Sequence, residues 1–209
     1  MPDVEFFYDY SCPWTYMAFT RLREAAARTG STIIWRPIMV DRVRREVNPS
    51  CAASREDPEP RRARYQAKDL QDWADFCGLK IVKPDDWPPE TNRALSGAIL
   101  AAETPLIAKY SEAIFRAYFA DGRDISYLEV VAEIAADAGL AGIVAHLEES
   151  APADRVRDNE AELLERGGFG SPTMFVGDSM FFGNDRMPLV EFALGQASGR
   201  TFVMPGQHG

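Results

Sequence analysis

The chain is poor in the side chains that build metal centres and disulfide frameworks. Among 209 residues there are three cysteines, Cys12, Cys51 and Cys77, and two histidines, His146 and His208. An odd, widely spaced set of cysteines excludes a disulfide-stapled secreted scaffold and points to a reducing compartment; no Cys/His spacing of a metal site is present. Positive charge is not in excess either. The 23 Lys and Arg stand against 32 Asp and Glu, and the formal net charge of −9 argues against a nucleic-acid surface and against anionic membranes. No apolar run reaches the roughly 18 residues of a membrane span, and Met1-Pro2-Asp3 leads directly into a strand-like run without the features of a signal peptide. Repeats and low-complexity stretches are also absent. What remains is a globular chain, 46% hydrophobic, expected to be cytoplasmic and long enough for one large domain or one domain with a sizeable insertion.

What is present is organised around Tyr8-Asp9-Tyr10-Ser11-Cys12-Pro13-Trp14-Thr15-Tyr16. An apolar run ends there and a long alanine-rich segment begins. Proline is favoured at the first helical position, so Cys12 reads as an N-cap and Pro13 as the first helical residue. Unsatisfied N–H groups and the positive end of the helix dipole favour an anion at such a position. Cys12-Pro13-Trp14-Thr15 has the shape of a C-x-x-C redox pair whose second cysteine is Thr15. A single thiol cannot complete a dithiol/disulfide cycle within its own motif, so the site either uses an external thiol or performs no redox chemistry.

Residues 3–9 read as a buried strand, 13–29 as a helix closed by Gly30, and 32–36 as a second strand. A connection of that length makes the two strands parallel. Residues 41–60 read as a polar surface connection without a period. Helical spacing then returns over 61–79, 91–103, 106–119, 126–138 with Ser126 as N-cap, 143–149 and 153–166. Strand signals reappear at 173–176 and 180–182 around a tight turn at Gly177-Asp178-Ser179, and a last helix starts at Asp185. The order predicts an α/β, thioredoxin-like domain (β-α-β … α-β-β-α) with an all-helical domain inserted after the second strand. The boundaries are 1–40 and 151–200 for the discontinuous thioredoxin-like part, 41–150 for the insertion and 201–209 for a loosely held tail.

Such a domain sets the start of its first helix beside a cis-proline that precedes its third strand. Ser171-Pro172-Thr173 occupies the second position, and the residue before such a proline offers an extended backbone edge to a peptide-like ligand. Glutathione is a ligand of that kind. Phe182-Gly183-Asn184-Asp185-Arg186, opening the last helix, adds N–H donors and polar side chains. Tyr10, Trp14 and Trp87 are candidate walls of an aromatic substrate pocket, although aromatics at such spacing more often pack in a core.

With these pieces in view, together with 61–70 and 87–103, the chain resembles the bacterial 2-hydroxychromene-2-carboxylate isomerases and the related kappa-class glutathione transferases over nearly its whole length. The resemblance implies a glutathione-dependent isomerase in the degradation of aromatic compounds, working as a homodimer. It places the catalytic position on Cys12, assisted by Ser11 and Thr15. The glutathione contacts fall on Asn48, Ser171, Pro172, Asn184 and Asp185, with Arg61 or Arg62 near a basic contact. The family pattern at the motif is Ser-Pro-Tyr-Ser where this chain has Cys12-Pro13-Trp14-Thr15. A serine hydroxyl donates to the glutathione thiolate, whereas cysteine is a poor donor. Two readings stay open: Cys12 stays protonated and donates weakly, preserving isomerase chemistry, or it forms a mixed disulfide, as in a glutathione transferase-like or DsbA-like thiol oxidoreductase. A non-catalytic module binding peptides along the Ser171-Pro172 edge is a third.

Overall fold

In the computed structural model, which describes residues 2–47, 59–82, 84 and 87–199, the centre of the fold is strand β1, Asp3–Tyr8. Its side chains alternate between two cores, as a pleated strand requires. Val4, Phe6 and Tyr8 enter the larger one, while Phe7 points to the opposite face and packs with Phe175, Ile38, Val43 and Leu163. Helix α1, Pro13–Thr29, follows with Cys12 as N-cap in extended geometry (φ −102°, ψ 114°) and Pro13 at the first turn; Gly30 closes it in the left-handed region at φ 69°. Strand β2, Thr32–Pro37, returns parallel to β1, with Asp3 opposite Thr32 and Tyr8 opposite Pro37. The β-α-β reading of the sequence is therefore what forms.

Helix α2, Val40–Val47, follows at once where a polar surface connection was expected. Its apolar stripe, Val40, Val43 and Val47, is short and leaves Val47 exposed, too brief a period to stand out in the sequence. Tertiary groups hold it instead. Asp9 Oδ2 accepts the Val40 N–H at 2.7 Å, Glu160 Oε1 accepts the Met39 N–H at 2.8 Å, and Glu160 also binds the Arg42 guanidinium through both oxygens.

Helices α3 (Pro60–Phe76), α4 (Asn92–Ala101), α5 (Ile107–Phe119) and α6 (Leu128–Asp137), a 3-10 turn at Ala141–His146 and helix α7 (Ser150–Glu165) carry the chain to β3. Several boundaries differ from expectation: α3 ends at Phe76 where 79 was expected, α4 at Ala101 where 103 was expected, α7 begins at Ser150 where 153 was expected, and the last helix begins at Met187 where 185 was expected. Tyr127, not Ser126, precedes α6, because Ser126 donates its N–H to Asp124 Oδ1 in a local turn. The segment expected as a short helix over 143–149 tightens to the 3-10 turn at Ala141–His146. Strand β3, Thr173–Val176, pairs antiparallel with β1 and with β4, Ser179–Phe182, across a turn in which Gly177 takes φ 57°. A 3-10 turn at Asn184–Arg186 leads into helix α8, Met187–Ala197. The sheet order is β2-β1-β3-β4.

The larger core is continuous between the sheet and the inserted helices. Tyr10 meets Phe115 of α5 at 4.9 Å between centroids, Tyr16 stacks on Phe115 at 5.1 Å, and Phe6 stacks on Tyr8 at 5.1 Å. Each fully buried ring contributes about 2–3 kcal/mol. Three tyrosine hydroxyls inside this core are hydrogen-bonded: those of Tyr10 and Tyr8 reach Ser111 Oγ at 2.8 and 3.4 Å, and that of Tyr110 donates to the Ala94 carbonyl at 3.0 Å over Gly97. Arg21 ties α1 both to the turn before the last helix and to the end of α3. It donates to the Asn184 carbonyl and to its Oδ1, and lies over the rings of Trp73 and Phe76 at the end of α3. Among the described residues no helix is long and apolar enough to cross a membrane.

Candidate active site

The carboxyl end of β1 and the loop before β3 meet because the two strands pair, with Phe7 opposite Thr173. Continuing that pairing by two residues brings Asp9 to Ser171. The Asp9 N–H donates to Ser171 Oγ at 3.2 Å, and Ser171 Oγ lies 2.7 Å from Thr15 Oγ1 on the first turn of α1. The Ser171-Pro172 bond is cis. Cys12, 4% exposed, sits at the junction, and its thiol donates to the Ser171 carbonyl at 3.5 Å. Cys12, Thr15 and Ser171 thus form one cluster, as the sequence predicted, although more than 150 residues separate its halves.

The backbone edge at Ser171 is open in a specific way. Its N–H has no acceptor among the described residues, and its carbonyl receives only the weak S–H donor. Pro172 accepts the Gly183 N–H at 3.0 Å, which sets the Asn184–Arg186 turn beside it. Gly183 takes φ 102°, a conformation suited to glycine, and the exposed Asp185 carboxylate lies over the position its Cβ would fill. On the other side, the Trp87 indole N–H donates to the Ser11 carbonyl at 2.8 Å, so the loop before α4 covers the Cys12 turn. Phe169 and Phe182, 4.5 Å apart, stay partly exposed beside Gly170 and give the rim an aromatic character.

The remaining predicted residues divide by location. Trp14 and Trp87 are half-buried near the turn. Tyr10 is wholly buried in the aromatic core with its hydroxyl on Ser111, away from any opening. Asn184 is buried, its carbonyl and Oδ1 held by Arg21 and its amide turned to Met17 Sδ, so it braces the turn while Asp185 faces outward against Arg186. Thr15 and Ser11 direct their hydroxyls inward, to Ser171 and toward Asp9. Arg61 and Arg62 are exposed at the start of α3, where Glu59 caps the Arg62 N–H, and no recorded contact brings them to Cys12. Asn48 and Cys51 lie outside the described residues. Sequence reasoning missed Asp9, whose carboxylate accepts the Ser11 N–H at 2.9 Å; an aspartate closing a strand is the ordinary turn residue and gave no separate signal.

This arrangement, a cysteine capping α1 against a cis-proline loop under a helical insertion, is matched from residue 3 to residue 195 by the DsbA-like thioredoxin domain. The chain belongs to the DsbA-like thioredoxin family. Within it, the chain is 29% identical over 195 residues to a 2-hydroxychromene-2-carboxylate isomerase of Pseudomonas putida, covering 92% of this chain and 94% of that protein. The solved structure of a 2-hydroxychromene-2-carboxylate isomerase superposes with a TM-score of 0.76 at 28% identity, covering 93% of this chain and 95% of that one. The structure of a probable DsbA oxidoreductase from Streptomyces coelicolor superposes with a TM-score of 0.77 at 24% identity, covering 98% and 93%, and supports the fold.

Proposed function

We propose that this family member is a glutathione-dependent isomerase of the 2-hydroxychromene-2-carboxylate type, acting on a small conjugated aromatic substrate. The observation that carries the reading is the Ser171 backbone edge at a helix N-terminus, its N–H without an acceptor among the described residues and its carbonyl held only by the weak Cys12 S–H donor. An extended peptide pairs through one N–H and one carbonyl, which is what Ser171 offers, and the residues present therefore fit glutathione. When bound, glutathione supplies a thiolate that adds to a conjugated carbon of the substrate and leaves again after rotation about the bond thereby made single. The chain's own part is to bind and orient. Ser171 fixes the peptide, the positive end of the α1 dipole favours the anionic sulfur, and the Cys12 S–H donates to it. Trp14, Trp87, Phe169 and Phe182 provide apolar surface for an aromatic substrate.

A second reading has a specific observation in its favour: the position that hydroxyl chemistry would use holds a thiol. In that reading Cys12 forms a mixed disulfide with glutathione, as a thiol oxidoreductase or transferase would. Thr15, turned to Ser171, leaves no resolving cysteine in the motif, so a second glutathione must release the first. Two measurements decide. Isomerisation of 2-hydroxychromene-2-carboxylate, followed by absorbance with and without glutathione, is expected to need glutathione; a full rate without it overturns the proposal. Mass spectrometry after exposure to oxidised glutathione then separates the readings. A stoichiometric adduct on Cys12 with no isomerase activity supports the oxidoreductase, and isomerase activity retained in Cys12→Ser supports the isomerase. The homodimer implied by the family likeness is checked by light scattering.

A further inference from the structure

Beneath the Ser11–Cys12 turn lies a carboxyl group, Asp9, that is 1% exposed and whose every polar atom is engaged. Its carbonyl accepts the Cys12 N–H at 3.3 Å, and its own N–H donates to Ser171 Oγ at 3.2 Å. Oδ1 accepts the Ser11 N–H at 2.9 Å and Oδ2 accepts the Val40 N–H at 2.7 Å, and the nearby Ser11 and Thr91 hydroxyls favour the charged form of the carboxylate. One residue thereby fastens the start of α1, the cis-proline loop and the start of α2.

Burial pushes the Asp9 carboxyl up, and the hydrogen bonds it accepts offset this only in part. As mere filling, an uncharged residue would cost less there. An amide, however, has one accepting oxygen, and its NH₂ would face either the Ser11 or the Val40 N–H, donor against donor. The two backbone donors lie on separate oxygens, an arrangement that calls for a carboxylate. The charged group facing it is Arg42 of α2, which is already bidentate on Glu160 of α7; the loop brings Glu90 and Thr91, and α1 brings Ser11 and Cys12.

We propose that Asp9 is a positioning residue for the Cys12 site: held between the Ser11 and Val40 amides, its carboxylate fixes the turn that presents the Cys12 thiol to the Ser171 carbonyl. The assignment of what is then bound there rests on the glutathione reading, whereas the placement of the sulfur does not. Without Asp9 the turn loosens, the thiol leaves the carbonyl, and Cys12 becomes more accessible while the two hydrophobic cores stay intact.

The test uses the full chain with Asp9→Asn. Native labelling by iodoacetamide at pH 7, followed on the Cys12-bearing peptide by mass spectrometry well below the unfolding transition, is expected to accelerate about tenfold, with the thermal midpoint lowered by about 2–12 °C. Glutathione affinity, measured by calorimetry, is expected to fall in parallel. Labelling within twofold of wild type refutes the positioning role. Faster labelling of Asp9→Asn, together with a wild-type protein that shows no glutathione binding, leaves Asp9 in its role and overturns only the ligand reading. Should Asp9→Asn fail to fold, Thr91→Val decides, since it removes a nearby hydroxyl that favours the charged form of the same carboxylate. It is expected to accelerate labelling at least threefold, and a wild-type rate refutes the proposal.

Discussion

Replacing Ser171 with alanine removes one oxygen that serves two buried partners. Ser171 is 2% exposed; its Oγ accepts the Asp9 N–H at 3.2 Å and bonds Thr15 Oγ1 at 2.7 Å. In Ser171→Ala the Asp9 amide is left without an acceptor in a dry site, at a cost of about 1–3 kcal/mol. Thr15 has a poor fallback, because the carbonyl four residues back, Ser11, already receives the Trp87 indole N–H. That adds roughly 1 kcal/mol, giving about 2–4 kcal/mol in all, or roughly 4–16 °C in Tm for a chain of this size. Thr15→Val alone leaves the Asp9–Ser171 bond in place and is expected to lose about 1 kcal/mol. The double variant should lose less than the sum of the two by about 1 kcal/mol, since the Thr15–Ser171 bond can be removed only once. Urea unfolding of all four proteins gives the cycle. A loss under about 0.5 kcal/mol in Ser171→Ala, or strict additivity, would refute the claim that this hydroxyl joins the two halves of the site.

Two further outcomes follow from geometry elsewhere. A Cβ on Gly97 would stand 2.1 Å from the Tyr110 Oη and 2.7 Å from Cζ, and the ring is pinned by its bond to Ala94; Gly97→Ala is expected to lose about 1–3 kcal/mol in urea unfolding despite alanine's better helix propensity, and a gain in stability would contradict the packing. Burial alone would raise the Glu5 carboxyl, but hydrogen bonds from Arg166 and Arg36 outweigh it and hold the group below its ordinary value of 4.5. Its stabilising contribution is therefore present above pH 4.5 and lost as pH falls through the lower folded value. Glu5→Gln should accordingly have the lower Tm at pH 7, the gap closing in acid; a gap that widens on acidification would count against the network.

The frame of the fold was legible where punctuation and periodicity agree. Pro13 and Gly30 bracket α1, and the apolar residues from Val4 to Tyr8 name the central strand. The Ser-Pro-Thr sequence marked the second half of the site because a proline after glycine-rich sequence and before a strand has few other uses. Helix α2 was not legible, since its anchors Asp9 and Glu160 lie 31 and 120 or more residues from the amides they hold. Tyr10 shows the reverse limit. Its sequence neighbours are site residues, yet period-two alternation past the strand end turns its ring into the core against Phe115. Asp9 lies between these cases: its position was visible, but that each oxygen takes a separate amide is a property of the assembled turn.

The thiol and any extended ligand at Ser171 compete for one carbonyl oxygen. While the groove is empty, Cys12 is tucked against it, shielded and oriented inward, with little surface for stray oxidants to reach. Under the proposed reading, a ligand that pairs its own N–H with that oxygen crowds the weak S–H donor there and draws the sulfur toward itself. Occupancy and exposure of the thiol are then coupled, and the cysteine stays shielded until that edge is filled.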